Sequence, residues 1–426
     1  MNHADENSPP RSERSAYRHV TYAWDDSVAA ALDPLSRLVY RSNLLGSDRR
    51  ITNTGGGNTS AKVALPDPLG RGQIDVLLVK GSGGDLRTAG PEHFASLSMR
   101  ALERIRELYL TAPGRGPKSR AEDAAVDQYR HAIFGGNPRP PSIDTPLHAF
   151  VARKHVDHTH PDAILALAAA VDGERLTHEI FGGEVAWLPW QRPGMDLGVR
   201  LGELTAANPM LRGAVLGQHG LISWADDDEE CYALTLELIE RAARVVEARD
   251  RGPATFGGTR HEPLSDDRQA EVLAAALPEL RGMLSTDRRL VATVQRDGPV
   301  LRFVNSVDAA RLASLGTSCP DHFLRTKITP LFVEWDPEAG STADLVEALE
   351  SGVRRYREDY AAYYSRCRRP DSPAMREPNP TVVLIPGLGM VAWGKDKSES
   401  RVTAEFFNAA VEVMRGAEAL DRYQAL

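Results

Sequence analysis

The sequence predicts a protein of two units, each of mixed α/β or α+β layers, and three observations carry that prediction. Short apolar runs rich in β-branched residues alternate with amphipathic stretches of helical period from one end of the chain to the other. A break, Arg251-Gly252-Pro253-Ala254-Thr255-Phe256-Gly257-Gly258, separates two such series. The length, 426 residues, exceeds one typical domain and leaves ample material for two cores. The expected organisation is a disordered leader over 1–18, a first domain over 19–255 and a smaller α/β domain over 256–426.

The polar, acidic start with Pro9 and Pro10 cannot bury apolar surface. Asp33-Pro34 supplies an N-cap and a first helical residue, Leu35, Leu38, Val39 and Leu45 an apolar stripe, and Gly46 a stop. Thr59–Leu65 and Ile74–Lys80, parted by Pro66-Asp67-Pro68-Leu69-Gly70, form a hairpin pattern. Helices are expected over about 91–110 and 121–134, then a histidine-rich strand, a helix from Asp162 to Val171, and strands over about 184–188 and 213–224. Asp226 to Glu230 open a long helix ending near Arg249, where acids at the start and arginines towards the end complement the helix dipole. In the second unit, helices are expected near 264–284, 306–315 and 341–366, and strands near 290–304, 328–335 and 381–386. No internal repeat is apparent.

Composition narrows the function. A net charge of -8 and a pI near 5.9 argue against a nucleic-acid partner, which calls for a basic face. Cys231, Cys319 and Cys367 are distant from one another and odd in number, as expected of reduced thiols in a cytoplasmic protein. The N-terminus lacks an apolar signal core, and the run Ala163–Val171 is too short to span a membrane.

His155-Val156-Asp157-His158-Thr159-His160-Pro161 concentrates three histidines in one strand. Alternate residues share a face, so His158 and His160 direct both imidazoles into one pocket, and Pro161 ends the strand there. His219, between glycines in Gly217-Gln218-His219-Gly220, is a third ligand candidate, and three imidazoles leave a coordination position open. His155 is out of phase with the pair and is expected either to support the ligands from outside or to serve as a spare ligand. Gly55-Gly56-Gly57-Asn58-Thr59-Ser60 and Lys80-Gly81-Ser82-Gly83-Gly84 offer backbone N–H groups and side-chain donors to an anion. Asp144, in Ser142-Ile143-Asp144-Thr145-Pro146-Leu147-His148, suits either a general base beside the pocket or an N-cap. His148 suits packing or a supporting contact. Ile385-Pro386-Gly387-Leu388-Gly389-Met390 lacks the third glycine of a dinucleotide loop.

In this order, Gly57-Asn58-Thr59-Ser60, Lys80-Gly81-Ser82-Gly83, His158-Thr159-His160-Pro161 and Gln218-His219-Gly220 resemble the class II aldolase/adducin family over about residues 30–250. The stretch around Asp144 and the long C-terminal unit resemble the aldolase part of bifunctional rhamnulose-1-phosphate aldolase/short-chain dehydrogenase proteins. The resemblance implies a three-layer αβα domain with a mostly antiparallel sheet, commonly in a tetramer. It implies a lyase using Zn2+ or another divalent metal to split a ketose 1-phosphate, such as L-rhamnulose 1-phosphate, into dihydroxyacetone phosphate and an aldehyde such as L-lactaldehyde. Metal falls on His158, His160 and His219, and phosphate on Gly57, Asn58, Thr59, Ser82 and Gly83. The base falls on Asp144, where the family commonly has the longer glutamate. The same family contains pentulose-phosphate 4-epimerases and non-catalytic adducin-like modules. A separate aldehyde dehydrogenase would be a natural partner.

Overall fold

A computed structural model of the chain describes residues 17–70, 72–112 and 118–426. Apart from Tyr17 and Arg18, the expected leader lies outside the described residues. The chain divides into two compact units, one comprising the residues up to Ala168 with Asp172–Val245, the other Ala169–Val171 with Val246–Leu426.

The first unit starts with α1 (Asp26–Ala30) and α2 (Pro34–Ser47), which Asp33 caps through the Leu35 and Ser36 amides. The predicted hairpin follows as β1 (Asn58–Pro66) and β2 (Gln73–Lys80). The expected helix over 91–110 is in fact β3 (Phe94–Ser98) followed by α3 (Met99–Thr111), because Ser98 caps a new helix. Then come α4 (Lys118–Gln128), α5 (Thr145–Ala149), β4 (His155–Thr159), α6 (Asp162–Ala168), α7 (Gly173–Phe181), β5 (Val185–Leu188) and α8 (Met195–Ala207). The expected strand over 213–224 is a tight hairpin, β6 (Gly213–Leu216) and β7 (Gly220–Ala225), leading into α9 (Asp228–Arg249).

These strands form one seven-stranded sheet in the order β3-β2-β1-β4-β7-β6-β5, antiparallel except for the β5–β6 pair. Helices cover both faces, as the alternation of each strand requires. Leu77, Val79 and Leu97 pack with Leu102, Ile105 and Tyr109 of α3, and Val156, Ile222 and Trp224 with Leu147 of α5 and Leu197 and Leu201 of α8. Leu38 of α2 meets Ala61, Val76 and Leu78 on the opposite face. The start of β1 and the ends of β2, β4 and β6 meet at one edge of this sheet.

The second unit contains α10 (Asp266–Leu284), β8 (Val291–Gln295), α11 (Gly298–Val304), α12 (Ala309–Leu315), α13 (Pro320–Thr326), β9 (Leu331–Phe332), α14 (Thr342–Cys367), β10 (Val382–Ile385), β11 (Gly389–Gly394) and α15 (Lys397–Leu420). The expected strand over 290–304 breaks at Asp297, whose carboxylate caps α11 ahead of Pro299. The glycine-rich segment around Gly387 is the turn of the β10–β11 hairpin. The sheet order is β8-β11-β10-β9, with only the β9–β10 pair parallel. One face is covered by α10 and α14 through Leu273, Leu280, Leu345 and Leu349. The expected linker is ordered within this unit: Phe256 is buried edge-on against Phe303, and Thr255 donates to Asp250 at 2.6 Å. The three cysteines are free thiols, and no helix among the described residues is long and apolar enough to cross a membrane.

Asp250 also accepts from Arg302 at 2.9 Å and Arg415 at 3.0 Å. Burial alone would raise its carboxyl, but the Arg302 and Thr255 hydrogen bonds and the guanidinium charges prevail and bring it to about 2. The folded value lies below the unfolded one, so this stabilisation is present above pH 3.8 and disappears as pH falls through about 2. Asp250→Asn should therefore lower the melting temperature at neutral pH, and the gap from wild type should close over that acid window in pH-resolved thermal scans.

Candidate metal centre

Strand β4 lies in the middle of the sheet, where both of its faces are buried. His158 has no solvent exposure, and its Nδ1 lies 2.8 Å from the Leu221 carbonyl on β7. A carbonyl only accepts, so Nδ1 carries the proton and the Nε2 lone pair points into the histidine cluster. That Nε2 lies 3.0 Å from His160 Nε2 and 3.2 Å from His219 Nε2. Tetrahedral coordination with metal–nitrogen bonds of about 2.0–2.1 Å places ligand nitrogens about 3.3 Å apart. The three buried imidazoles thus fit a divalent cation, and among the described residues they are the cluster suited to hold one.

Local backbone chemistry puts His219 there. The β6–β7 turn holds Gln218 at a positive φ of 53° and closes with the His219 amide on the Leu216 carbonyl at 3.0 Å. At Gly220 a Cβ would stand 2.6 Å from the Thr159 carbonyl and 2.7 Å from the His160 ring, so only glycine lets β7 pass so close to the ligands. The Trp190 ring, 41% exposed and 6.4 Å from that of His219, stands beside it, and nothing in its sequence context had marked it.

Of the two roles expected of Asp144, the side-chain cap is not made, although the residue stands at the N-terminus of α5. Its Oδ2 accepts from Asn58 Nδ2 at 2.9 Å, while Oδ1 is buried without a hydrogen-bond partner. Asn58, the partner of this carboxylate, sits directly across the sheet from His158. His148 completes the arrangement. Its Nε2 lies 2.5 Å from Asn58 Oδ1 and its Nδ1 2.8 Å from Ser60 Oγ. Burial holds this imidazole well below the ordinary histidine range, with the charges of His158, Lys62 and Arg41 acting in the same direction. A neutral ring has one donor and one acceptor, so Nε2 donates to Asn58 and Nδ1 accepts from Ser60, which turns the Asn58 amide hydrogens towards Asp144.

Two of the phosphate candidates have partners within the chain, and two other expectations need correction. The Asn58 side chain bonds Asp144 and His148, and Thr59 Oγ1 is bonded at 2.6 Å to Ser42 on the α2 face. His155 does not support the ligands: strand alternation turns it to the opposite face, where its Nδ1 meets Arg41 at 2.9 Å and Asp228 at 3.1 Å. The acidic run is also divided. Asp227 caps α9, whereas Asp228 faces this buried pair.

Gly57, Ser82 and Gly83 remain at the sheet edge. Gly57 has φ of 69° and no room for a Cβ, which would stand 2.9 Å from the His158 carbonyl. Ser82 and Gly83 are exposed, and Arg139 donates to their carbonyls at 2.6 and 3.1 Å. The setting of this arginine, Asn137-Pro138-Arg139-Pro140, gives no sequence signal beyond an isolated cation in a turn.

A model of the class II aldolase and adducin N-terminal domain matches residues 36–246, and one of the class II aldolase second domain matches residues 271–426. The chain belongs to the class II aldolase and adducin family. A Bacillus subtilis (strain 168) protein named "Uncharacterized oxidoreductase YuxG" is 38% identical over 408 residues. That alignment covers 96% of this chain but 58% of the relative, so the chain spans little more than half its length. Among solved structures, the N-terminal class II aldolase domain of a Thermoplasma acidophilum protein is 29% identical, covering 54% of this chain and 98% of that one at a TM-score of 0.45. L-fuculose-1-phosphate aldolase from Thermus thermophilus is 17% identical, covering 50% and 96% at a TM-score of 0.32.

On the face of the sheet opposite the histidine cluster, Arg41 is wholly buried and donates to Asp157 at 3.0 Å, Asp228 at 2.9 Å and the Ser60 carbonyl at 2.7 Å. Removing one member of such a group strands buried charge, at about 3–5 kcal/mol. Arg41→Met should lower the unfolding free energy of the first unit by about that amount in denaturant titrations, and a loss under about 1 kcal/mol would mean the cluster behaves like a solvated pair.

Proposed function

We propose that the chain is a metal-dependent aldolase that cleaves a ketose 1-phosphate, with L-rhamnulose 1-phosphate the preferred candidate, to dihydroxyacetone phosphate and an aldehyde such as L-lactaldehyde. The observation that carries this reading is the convergence of three imidazole nitrogens beside a carboxylate with one unpartnered oxygen. His158, His160 and His219 would hold the metal, with Zn2+ the first candidate. When bound, the cation supplies positive charge that polarises a substrate carbonyl and offsets the negative charge developing as a carbon–carbon bond breaks.

The residues of the chain supply the proton chemistry. Asp144 Oδ1 accepts the proton from the substrate hydroxyl whose carbon–oxygen bond becomes the aldehyde carbonyl. Oδ2 is held by Asn58, and Asn58 by His148, so the carboxylate presents a fixed oxygen. Gly57, Ser82 and Gly83 contribute backbone N–H groups at the sheet edge for the phosphate, with Arg139 bracing the second loop. We also propose a homo-oligomer, a tetramer by family resemblance, and a separate dehydrogenase that takes the released aldehyde. The name of the longer Bacillus subtilis relative supports the second of these.

A panel of ketose 1-phosphates assayed for dihydroxyacetone phosphate, with and without a chelator, tests the reaction. Release from one member that stops on chelation is expected. Conversion of a pentulose phosphate without free aldehyde would show an epimerase instead. The double variant His158→Ala/His160→Ala should lose both bound metal and cleavage, and full cleavage without metal would overturn the proposal. Asp144→Asn should cut kcat by about 100-fold or more while metal content holds. Unchanged turnover would remove Asp144 as the base.

A further inference from the structure

The second unit repeats the metal-binding half of the first, element by element. In the first unit the order is α5, β4, α6, α7, β5, α8, β6, β7, α9; in the second it is α10, β8, α11, α12, β9, α14, β10, β11, α15, with α13 added. The strand orders β4-β7-β6-β5 and β8-β11-β10-β9 coincide, and in each only the last pair is parallel. The correspondence extends to single residues. Gly213, Gly220 and Asp228 begin β6, β7 and α9, and Val382, Gly389 and Lys397 begin β10, β11 and α15 at one constant displacement. His155, Asp162 and Gly173 relate to Val291, Gly298 and Ala309 by a second constant displacement.

Fine structure agrees with this alignment. The turn residues Gln218 and Gly387 both have positive φ, 53° and 74°. The His219 amide bonds the Leu216 carbonyl at 3.0 Å, and the Leu388 amide bonds that of Ile385 at 3.1 Å. Asp227 caps α9 at the Glu230 amide, and Asp396 caps α15 at the Glu399 amide. Trp224 and Trp393 occupy one register position, and each donates its amide to the residue preceding the first strand of the hairpin. Few other identities survive, which is why no repeat was apparent in the sequence.

Under this alignment His158, which pairs with Ile222, corresponds to Val294, which pairs with Val391. His160 corresponds to Arg296 and His219 to Leu388. Leu388 is buried in the apolar cluster with Val391 and Trp393, Val294 packs against it, and Arg296 donates to Gln269 at 3.0 Å. Two aliphatic side chains and a guanidinium offer no lone pair to a cation. We propose that the second unit is a duplicate of the metal-binding half whose metal site is latent: the backbone that positions three ligands is retained, and only the side chains have changed. One chain therefore binds one catalytic metal, and the second unit lends fold without lyase chemistry. The inference rests on the metal reading of His158, His160 and His219.

The test is to install Val294→His, Arg296→His and Leu388→His together in the full chain and count Co(II) or Zn(II) per chain by elemental analysis after dialysis. Wild type should hold one and the variant two. Placed on His158→Ala/His160→Ala, the triple change should restore one metal without cleavage. A folded triple variant that still holds one overturns the proposal, as does a wild-type chain that holds two. Metal gained by the variant when wild type holds none would sink the reading of the first site and leave the latent site standing. If the triple variant does not fold, Val294→His/Leu388→His, which keeps Arg296, should gain one Cu(II) per chain, and a folded double variant without that gain counts against the duplicate.

Discussion

The two-residue alternation of strand β4 decides which side chains reach the histidine cluster. Val156 and His158 face the α5 and α8 side, with His160 following in phase, while His155 and Asp157 face α2 and α9. A slip of one residue would push His158 into the buried charges and draw Asp157 into the pocket. Arg41 opposes such a slip, because its guanidinium binds Asp157, Asp228, the His155 ring and the Ser60 carbonyl at once. The register that aims His158 and His160 is thus fixed from the opposite face of the sheet.

The neighbouring strand transmits this order to the carboxylate. Asn58 lies opposite His158 in the β1–β4 ladder, and its side chain reaches Asp144 on one side and His148 on the other. The low proton affinity that burial imposes on His148 matters here, since a protonated ring would donate from both nitrogens and Ser60 would have to give up its donor role. A neutral imidazole therefore orients an amide, the amide orients a carboxylate, and the second oxygen of that carboxylate makes no hydrogen bond within the chain.

Much of this was legible in the sequence, and the failures have physical causes. His158 and His160 were recognisable because period two is a strand's strongest signature, and His219 because flanking glycines mark a close approach. The partners that Asn58 and Thr59 have within the chain were not legible, because composition indicates donors but not the face to which a strand turns them. The spacing of Asp144 and His148 did not show that both converge on Asn58, since that contact is made across the sheet. Strand β11 was hidden by Gly387 and Gly389, which suggested a loop but serve the hairpin turn. Helix α11 was hidden because apolar residues after Asp297 continued the pattern of β8 past a capping residue. The duplication could not be seen because burial preserves shape and polarity more strictly than identity.

The central claim is that one divalent cation sits among His158, His160 and His219. Anomalous diffraction at the absorption edge of the bound metal locates it directly. The expected result is one strong peak in the first unit, about 2.0–2.1 Å from all three Nε2 atoms. A peak elsewhere, or metal that remains bound and active with no density at that point, would contradict it.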